Sequence, residues 1–319
     1  MKAAAAAVVA LLAWGAPLPA QSLPFHRPLN PHSAARSTLA HQPYESYAPR
    51  RRALSVSVEY GNAIEYEIPA AAPTSYLFDA ELLRAAVAWR RELAPHAFLT
   101  LRGEIGGSYA GFADGFFLWY HELINFDQPE RLARPRNVYA NELELPDGRR
   151  ITRDPTPLAL GDFEATVGFR HSLTQQTAVT LSLPTATTRH LGRGVPAASV
   201  VHTLRVPLRT RVTFEGSIGA GFTPRAGDLS DYQRTIFLSG STGIRWRLWG
   251  GESIYGYFFY HSPRYEGTTF PSLDRREITG DFGWIRRARD GSEWRIGLSE
   301  DLGPGDGGID LILKVGRSW

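Results

Sequence analysis

The C-terminal stretch from Gly307 to Trp319 alternates between apolar and polar positions. Counted back from the terminus in steps of two, one set is Trp319, Arg317, Val315, Leu313, Leu311 and Ile309. The intervening set is Ser318, Gly316, Lys314, Ile312 and Asp310. Successive side chains of a β-strand point to opposite faces, so this pattern predicts a strand with one largely apolar face. A chain that ends on such a strand and an aromatic residue is typical of an outer-membrane barrel. We therefore predict that barrel-assembly machinery reads Trp319 as a signal.

The same alternation recurs along most of the chain from residue 53 onward. It is clearest at 209–222, where Val212 and Phe214 alternate with Thr213 and Glu215. Ahead of the terminal strand, the pattern predicts strands at about 53–68, 75–91, 96–109, 161–172, 177–184, 198–208, 209–222, 234–249, 252–262, 274–288 and 292–301. The total of about twelve is even, as in single-chain bacterial barrels.

Short and long links between these predicted strands alternate. The short links fall at 93–95, 174–176, 207–209, 250–251 and 289–292. The longer links fall at 69–75, 110–160, 184–197, 223–233, 262–273 and 302–307. Outer-membrane barrels have short periplasmic turns and longer extracellular loops. The sequence therefore predicts an all-β chain, a single-chain antiparallel transmembrane β-barrel of about twelve strands at 51–319, with one long, partly helical extracellular loop at 110–160.

The polar positions of the predicted strands carry charges of both signs. We assign to the lumen the side chains of Asp79, Glu81, Arg102, Glu104, Asp162, Glu164, Arg211, Glu215, Arg245, Arg247, Asp281 and Asp301. A charge that faces lipid costs a few kcal/mol at the middle of the bilayer, so these groups are expected to face water or each other. Two interpretations follow: a lumen filled by salt bridges, or a selective pathway for a polar or charged solute.

The long loop at 110–160 carries the candidate ligand or gate residues. Between residues 111 and 127, apolar side chains recur at three- and four-residue spacings, which predicts a short amphipathic helix. The candidates in and after this helix are Asp114, Trp119, His121, Glu122 and Arg131. Three interpretations stay open: a structural cap on the mouth of the barrel, a ligand gate or lid, or a catalytic site with His121 as general base. In each case we expect the loop to fold over or into the lumen.

The N-terminal segment predicts export. Lys2, the apolar run from Ala3 to Trp14, and Leu18-Pro19-Ala20 before Gln21 have the order of a secretory signal peptide at 1–20. The proline-containing segment at 21–50 predicts irregular structure. Together with the barrel pattern, this signal predicts the outer membrane of a Gram-negative-type bacterium, with outer-membrane lipid as a partner.

Composition narrows the chemistry. The chain has no cysteine, which excludes disulfides, thiolate nucleophiles and cysteine metal sites. The net charge is only +3, so a nucleic-acid partner is not predicted. The histidines are scattered singly, and we predict neither a metal site nor a cofactor. Gly303-x-Gly305-x-x-Gly308 matches a dinucleotide pattern but leads into a strand, not a helix, so it fails the context that this motif requires.

Several short motifs together resemble the DUF3187 family of uncharacterised bacterial proteins, which are thought to be outer-membrane barrels. They are Phe78-Asp79-Ala80-Glu81, Gly111-Phe112-Ala113-Asp114, Trp119-Tyr120-His121, Gly161-Asp162-Phe163, Leu183-Pro184-Thr185, Leu191-Gly192-Arg193-Gly194 and Ser299-Glu300-Asp301. The resemblance covers nearly the whole mature chain and implies topology and localisation, without a mechanism.

The leading functional hypothesis is a channel or transporter-like barrel for a small, undefined solute, with a lumen that the long loop restricts. The alternatives are an outer-membrane lipid-modifying enzyme, with His121 as its base, and a structural or surface-interaction barrel.

Overall fold

The computed structural model of the chain describes Tyr44 and residues 52–68, 74–123, 129–132, 134–188, 191–302 and 308–319. The predicted signal peptide at 1–20 lies outside the described residues, as do all of the predicted irregular segment at 21–50 except Tyr44 and the loop residues 303–307.

Fifteen strands are described, and they form one antiparallel sheet. They are β1 (Arg52–Glu67), β2 (Ser75–Ala94), β3 (Ala97–Tyr109), β4 (Ala140–Glu144), β5 (Arg150–Thr152), β6 (Thr156–Leu160), β7 (Phe163–Arg170), β8 (Gln175–Leu183), β9 (Ala197–Pro207), β10 (Val212–Phe222), β11 (Ile236–Arg247), β12 (Glu252–His261), β13 (Glu277–Arg287), β14 (Glu293–Asp301) and β15 (Gly308–Ser318). Without the short strands β4, β5 and β6, twelve strands remain, and they form a ring that closes where β1 pairs with β15. The predicted barrel is confirmed.

The alternation of short and long links is also confirmed. Short hairpins join β2 to β3, β7 to β8, β9 to β10, β11 to β12 and β13 to β14. At the β11–β12 turn, Gly250 and Gly251 both adopt a positive φ, which costs glycine little. We name the end with these hairpins the periplasmic end and the end with the longer links the extracellular end, following the predicted orientation.

Strand β7 shows how the alternating sequence builds the wall. Glu164, Thr166 and Arg170 are buried on the inward face, whereas Phe169 on the outward face is exposed. The outward faces of neighbouring strands present similar exposed apolar groups, among them Val179, Leu181, Val200, Ile218, Ile236, Leu238, Ile254 and Phe258. Polar groups therefore turn toward the lumen and apolar groups turn outward, as the period of two requires.

Strand β2 is turned the opposite way from the sequence prediction. Directly opposed residues of an antiparallel pair share a face of the sheet. Leu313 is exposed on the outer wall and pairs with Tyr60, which pairs in turn with Leu83. Glu81 and Asp79 follow at two-residue steps from Leu83, so both lie on the outer face. Their prediction as lumen charges was wrong.

The reason lies in what covers each face of β2 near the extracellular end. The inward face is apolar and belongs to a buried cluster formed by Ala63, Tyr76, Phe78, Ala80, Leu82, Leu143, Leu145, Leu229, Tyr265, Phe270, Leu273 and Ile312. Several of these residues come from long links that fold into the extracellular mouth. The prediction assumed that apolar side chains face lipid along the whole strand, but here they face other protein.

The segment 110–160 is more regular than the predicted loop. It contains helices α1 (Asp114–Leu123) and α2 (Pro129–Leu132) as well as β4, β5 and β6. β4 pairs with the extracellular part of β2, and β6 pairs with that of β3, so the barrel wall continues upward. A third short helix, α3 (Pro271–Asp274), and a 3₁₀ turn at Ser230–Tyr232 lie in later links. Among the described residues, no helix has the length and apolar character to cross a membrane.

Candidate functional site

The lumen contains most of the charged residues that the sequence assigned to it. By strand register, the inward positions include Arg102, Glu104, Asp162, Glu164, Arg211, Glu215, Arg245, Arg247, Asp281 and Asp301. The structure groups them at different heights along the barrel axis and adds partners that the alternation alone did not identify.

A buried ion cluster lies toward the extracellular end of β7 and β8. Arg193, from the link after β8, is 2% exposed. Its Nη1 lies 3.0 Å from Asp162 Oδ2 and donates a hydrogen bond to Ser182 Oγ at 2.8 Å. Its Nη2 lies 3.4 Å from Glu164 Oε1. Asp162 also accepts hydrogen bonds from the backbone N–H groups of Ala186 and Arg193. The cluster therefore fixes the β8–β9 link inside the mouth.

The same cluster continues along the lumen wall to β3. Arg102 Nη1 lies 3.4 Å from Glu164 Oε2, and its Nη2 lies 3.5 Å from Glu104 Oε2. Three carboxylates are therefore held by two guanidinium groups in one chain of contacts. Such groups have a net cost of burial unless they are paired, so each partner depends on the next.

An open cavity of about 530 Å³ adjoins this cluster. Arg193 and Asp162 line one side, and Arg153 and Asp228 line the other. Arg153 Nη2 lies 3.1 Å from Asp228 Oδ2, which ties the strand after β5 to the β10–β11 link. The cavity is thus a polar chamber at the extracellular end.

The β4–β5 hairpin is joined to the β10–β11 link by a second contact. Arg149 Nη2 lies 3.0 Å from Asp231 Oδ2, and its Nη1 donates to the backbone oxygen of Asp228 at 3.1 Å. The backbone N–H of Arg149 holds the pKa of the exposed Asp147 carboxyl below its usual value. These contacts narrow the extracellular mouth.

A second network crosses the middle of the lumen. Tyr255 donates a hydrogen bond to Asp281 Oδ1 at 3.0 Å, and Lys314 Nζ lies 3.0 Å from Asp281 Oδ2. The Arg295 guanidinium lies 4.5 Å from the centre of the Tyr255 ring. All four side chains are buried, and together they occupy the space between β12, β13, β14 and β15.

Tyr257 extends this network across the lumen. Its hydroxyl donates to Glu215 Oε2, two strands away on β10, at 3.0 Å. Glu215 also lies 3.4 Å from Arg205 Nε on β9. The two tyrosines are next to each other on the inward face of β12, with ring centres 5.8 Å apart. They form the constriction between the two ends of the lumen.

The periplasmic end contains a second cavity, of about 270 Å³. It is lined by Arg205, Pro207, Arg209, Thr210, Arg211, Thr213, Arg245, Arg247, Ser253 and Arg287. Elsewhere at this end, Arg170 pairs with Glu92 through two contacts of 2.9 Å, and the guanidinium groups of Arg90 and Arg170 lie over the Phe98 ring.

The helices of the insertion lie against the outer wall of the barrel. Arg131 Nη1 lies 2.9 Å from Asp79 Oδ1 and 3.1 Å from Asp114 Oδ2, while its Nη2 donates to Asn62 Oδ1 at 2.8 Å. Asn62 and Asp79 are on the outward faces of β1 and β2. Glu81 Oε1 accepts a hydrogen bond from the Phe112 backbone N–H just before α1. The expectation that these helices fold over or into the lumen was wrong.

His121 belongs to this outer contact. Its Nδ1 lies 2.8 Å from the Phe117 carbonyl oxygen, and its Nε2 lies 3.8 Å from Glu300 Oε1 on β14. Burial lowers the pKa of His121, and the Phe117 carbonyl only partly opposes this shift. Tyr120 donates to Glu300 Oε2 at 3.2 Å, and burial raises the pKa of its phenol. These contacts attach α1 to the barrel wall.

The other two gate candidates in α1 point away from the wall. Trp119 is 54% exposed, and Glu122 is also exposed. Neither contacts the lumen, so the five candidates of the insertion form an outer attachment site rather than a gate. Within the described residues, no group of three or more potential His, Asp or Glu ligands could hold a metal ion.

Trp319 is 2% exposed, and its backbone N–H donates to the Leu54 carbonyl at 2.9 Å. The Arg317 guanidinium lies between two rings, 4.8 Å from the centre of Trp319 and 4.9 Å from that of Trp294. The terminal aromatic residue is therefore packed on the barrel rather than extended from it.

Sequence reasoning missed two important lumen groups. Lys314 was read only as one polar position of the last strand, although its phase places it inward opposite Glu59. Arg193 lies in a link, where strand alternation gives no information. Its place in the Leu191-Gly192-Arg193-Gly194 motif was the only signal.

Comparison with known proteins agrees with this architecture. The chain is similar in fold to the COG4313 outer membrane channel from Pseudomonas putida F1, with a TM-score of 0.55 and 11% identity over 86% of this chain and 96% of that chain. The NanC porin gives a TM-score of 0.48 and 7% identity over 83% of this chain and 98% of its own. The Pseudomonas putida toluene transporter TodX gives 0.41 and 9% over 85% and 89%, respectively.

At these identities, the likeness to the COG4313 channel shows the fold alone. No curated protein matches the chain in sequence. The profile of the family described as "Protein of unknown function (DUF3187)" matches residues 60–316. Because this match covers most of the chain, the protein belongs to the DUF3187 family.

Proposed function

We propose that the protein is an outer-membrane channel that passes a small polar solute through a constricted lumen. The observation that carries the proposal is the charged inward wall, which continues from the Asp162 cluster to the Glu215 and Asp281 contacts. A purely structural barrel could fill this space with apolar side chains at no loss of stability, because buried ion pairs are poor stabilisers. Charged groups along the axis suit the passage of water and polar solutes.

The arrangement of space supports a small solute. One cavity lies at each end of the lumen, and Tyr255 and Tyr257 lie between them with their hydroxyl groups held by carboxylates. Apolar residues fill the mouth beside β1 and β2. The pathway therefore runs beside β7 to β13, past the tyrosines.

Localisation in the outer membrane is part of the proposal. The outward face of the barrel is an apolar surface suited to lipid, and the predicted signal peptide at 1–20 would direct export. Barrel-assembly machinery would act on the last strand and Trp319. Removal of Trp319 is expected to lower the amount of folded, heat-modifiable barrel in the outer membrane, and an unchanged amount would contradict this role.

Planar lipid bilayers test the channel. Purified wild-type protein is expected to give discrete conductance steps, and the double variant Tyr255→Ala/Tyr257→Ala is expected to give larger ones. Phe258→Ala is the matched control, since Phe258 lies between these positions in number but points outward. Absence of steps from correctly folded protein in both wild type and double variant would contradict a channel and favour a structural barrel.

A further inference from the structure

The cavity at the periplasmic end has an unusual lining. Six of its ten lining residues are arginines, namely Arg205, Arg209, Arg211, Arg245, Arg247 and Arg287, and none is acidic. They come from the ends of β9, β10, β11 and β13 and from the β9–β10 turn. Strand register places Arg205, Arg211, Arg245, Arg247 and Arg287 on the inward face, so their guanidinium groups meet at the mouth of the lumen.

Nearby carboxylates neutralise only part of this charge. Arg205 lies 3.4 Å from Glu215. Arg245 and Arg287 share Glu293, at 3.7 and 3.3 Å. Two carboxylates therefore face six guanidinium groups, an excess of four positive charges.

The remaining arginines do not use carboxylates among the described residues. Arg247 donates to the backbone oxygen of Thr210. Arg209 and Arg211 are exposed at the mouth, and the described part of the chain gives neither an ion pair. Like charges brought together in this way repel each other, so the arrangement costs stability unless something compensates it. A function that requires excess positive charge explains why it is present.

The chemistry of guanidinium groups indicates the compensating partner. Arginine presents a planar fork of donors that matches carboxylate and phosphate oxygens, often through two parallel hydrogen bonds. A cleft lined by one sign of charge, with walls of low dielectric constant, also concentrates its field on an incoming ion. A volume of about 270 Å³ accommodates a compact oxyanion with several of these groups around it.

We propose that this arginine pocket is a binding site for a compact polyvalent oxyanion, the phosphate or clustered carboxylate group of a small free solute. The proposal rests on the proposed channel function and names the chemical class of its solute. Five of the six arginines occupy inward positions, so the anion reaches the pocket through the lumen or from the periplasm rather than from lipid. The tyrosine constriction and Glu215 lie beyond the pocket, on the way to the extracellular chamber.

Binding can be measured without conduction, so the two proposals fail separately. Isothermal titration calorimetry of the full-length barrel in detergent would use pyrophosphate in one arm and citrate in the other, at low salt. We expect saturable binding of at least one probe, weaker when the salt concentration is raised because salt screens exposed charges. Absence of binding to both probes at low salt would overturn the pocket whether or not the protein conducts.

The variant Arg209→Gln/Arg211→Gln removes the two arginines without an ion pair. We expect its affinity to fall by about tenfold or more. Arg286→Gln is the matched control, because it removes a charge at the same end of the barrel on the outward face, and its affinity should equal that of the wild type. Arg209→Lys/Arg211→Lys keeps the charge and loses the fork, so it should bind with intermediate affinity. Equal affinities for the wild type and the glutamine double variant, with both shown to be folded by heat-modifiable gel migration, would overturn the proposal.

Discussion

Arg193 in the β8–β9 link lies 3.0 Å from Asp162 at the start of β7, and each residue is at most 3% exposed. This contact joins two segments whose motifs are separated in sequence and holds a link inside the extracellular mouth. Glu164 and Ser182 complete the surroundings of the guanidinium group. The contact makes the β8–β9 link part of the lumen wall.

Loss of Arg193 is expected to destabilise the barrel. Arg193→Ala leaves Asp162 and Glu164 buried without their main counter-ion, and breaking a buried pair in this way costs about 3–5 kcal/mol. Urea unfolding, followed by heat-modifiable gel migration, would measure the loss. Arg234→Ala is the control, since Arg234 pairs with Glu266 at an exposed site and should cost at most about 1 kcal/mol. Equal midpoints for the two variants would contradict the structural role of Arg193.

Arg131 is expected to hold the insertion on the outer wall. In Arg131→Ala, Asp79 and Asp114 would remain buried without their common guanidinium partner, at a cost of about 3–5 kcal/mol. We expect α1 and α2 to detach while the strand ring persists. Limited proteolysis should then cut between residues 111 and 140 faster than in the wild type. Arg150→Ala removes an exposed charge from the same insertion and should leave the cleavage rate unchanged.

His121 is expected to make this attachment sensitive to acid. Burial lowers the folded-state pKa of His121 below the ordinary value of about 6.5. Above that value the ring is neutral in both states, so it contributes no pH dependence. As the pH falls below about 6.5, the detached state binds a proton more readily than the attached state, and attachment weakens until the lowered pKa is passed.

Limited proteolysis of the insertion at pH 7.5 and pH 5 would measure this effect. Cleavage of the wild type, compared with a reference peptide to correct for protease activity, should accelerate at the lower pH. His121→Gln has no ring to titrate and should show a smaller acceleration. The same acceleration in both proteins would assign the acid sensitivity to other groups.

The wall of the barrel was predictable because its physical rule is local. Lipid outside and polar groups inside impose a period of two, which strands such as β7 and β10 carry openly in their sequences. The links were predictable for a similar reason, since hairpins at one end are short. The parts that escaped prediction depend on contacts between distant segments.

β2 shows why. Tyr76 and Phe78 face a lumen filled by Leu229, Phe270 and other residues of distant links, and nothing in the strand itself records that cover. The same holds for Asp79, whose partner Arg131 lies in the insertion. The sequence identified the chemistry of these residues correctly as charged or apolar, but the side of the wall follows from what packs there. Arg193 escaped prediction for the same reason.

The most direct test of a solute path through the lumen uses introduced cysteines, because the native chain has none. Thr213 lines the periplasmic cavity, whereas its neighbour Phe214 points outward. Single-channel conductance of Thr213→Cys and Phe214→Cys would be recorded before and after a charged, membrane-impermeant thiol reagent. The account predicts a lower conductance for Thr213→Cys after modification and no change for Phe214→Cys. An unchanged conductance in modified Thr213→Cys would contradict a path through the lumen.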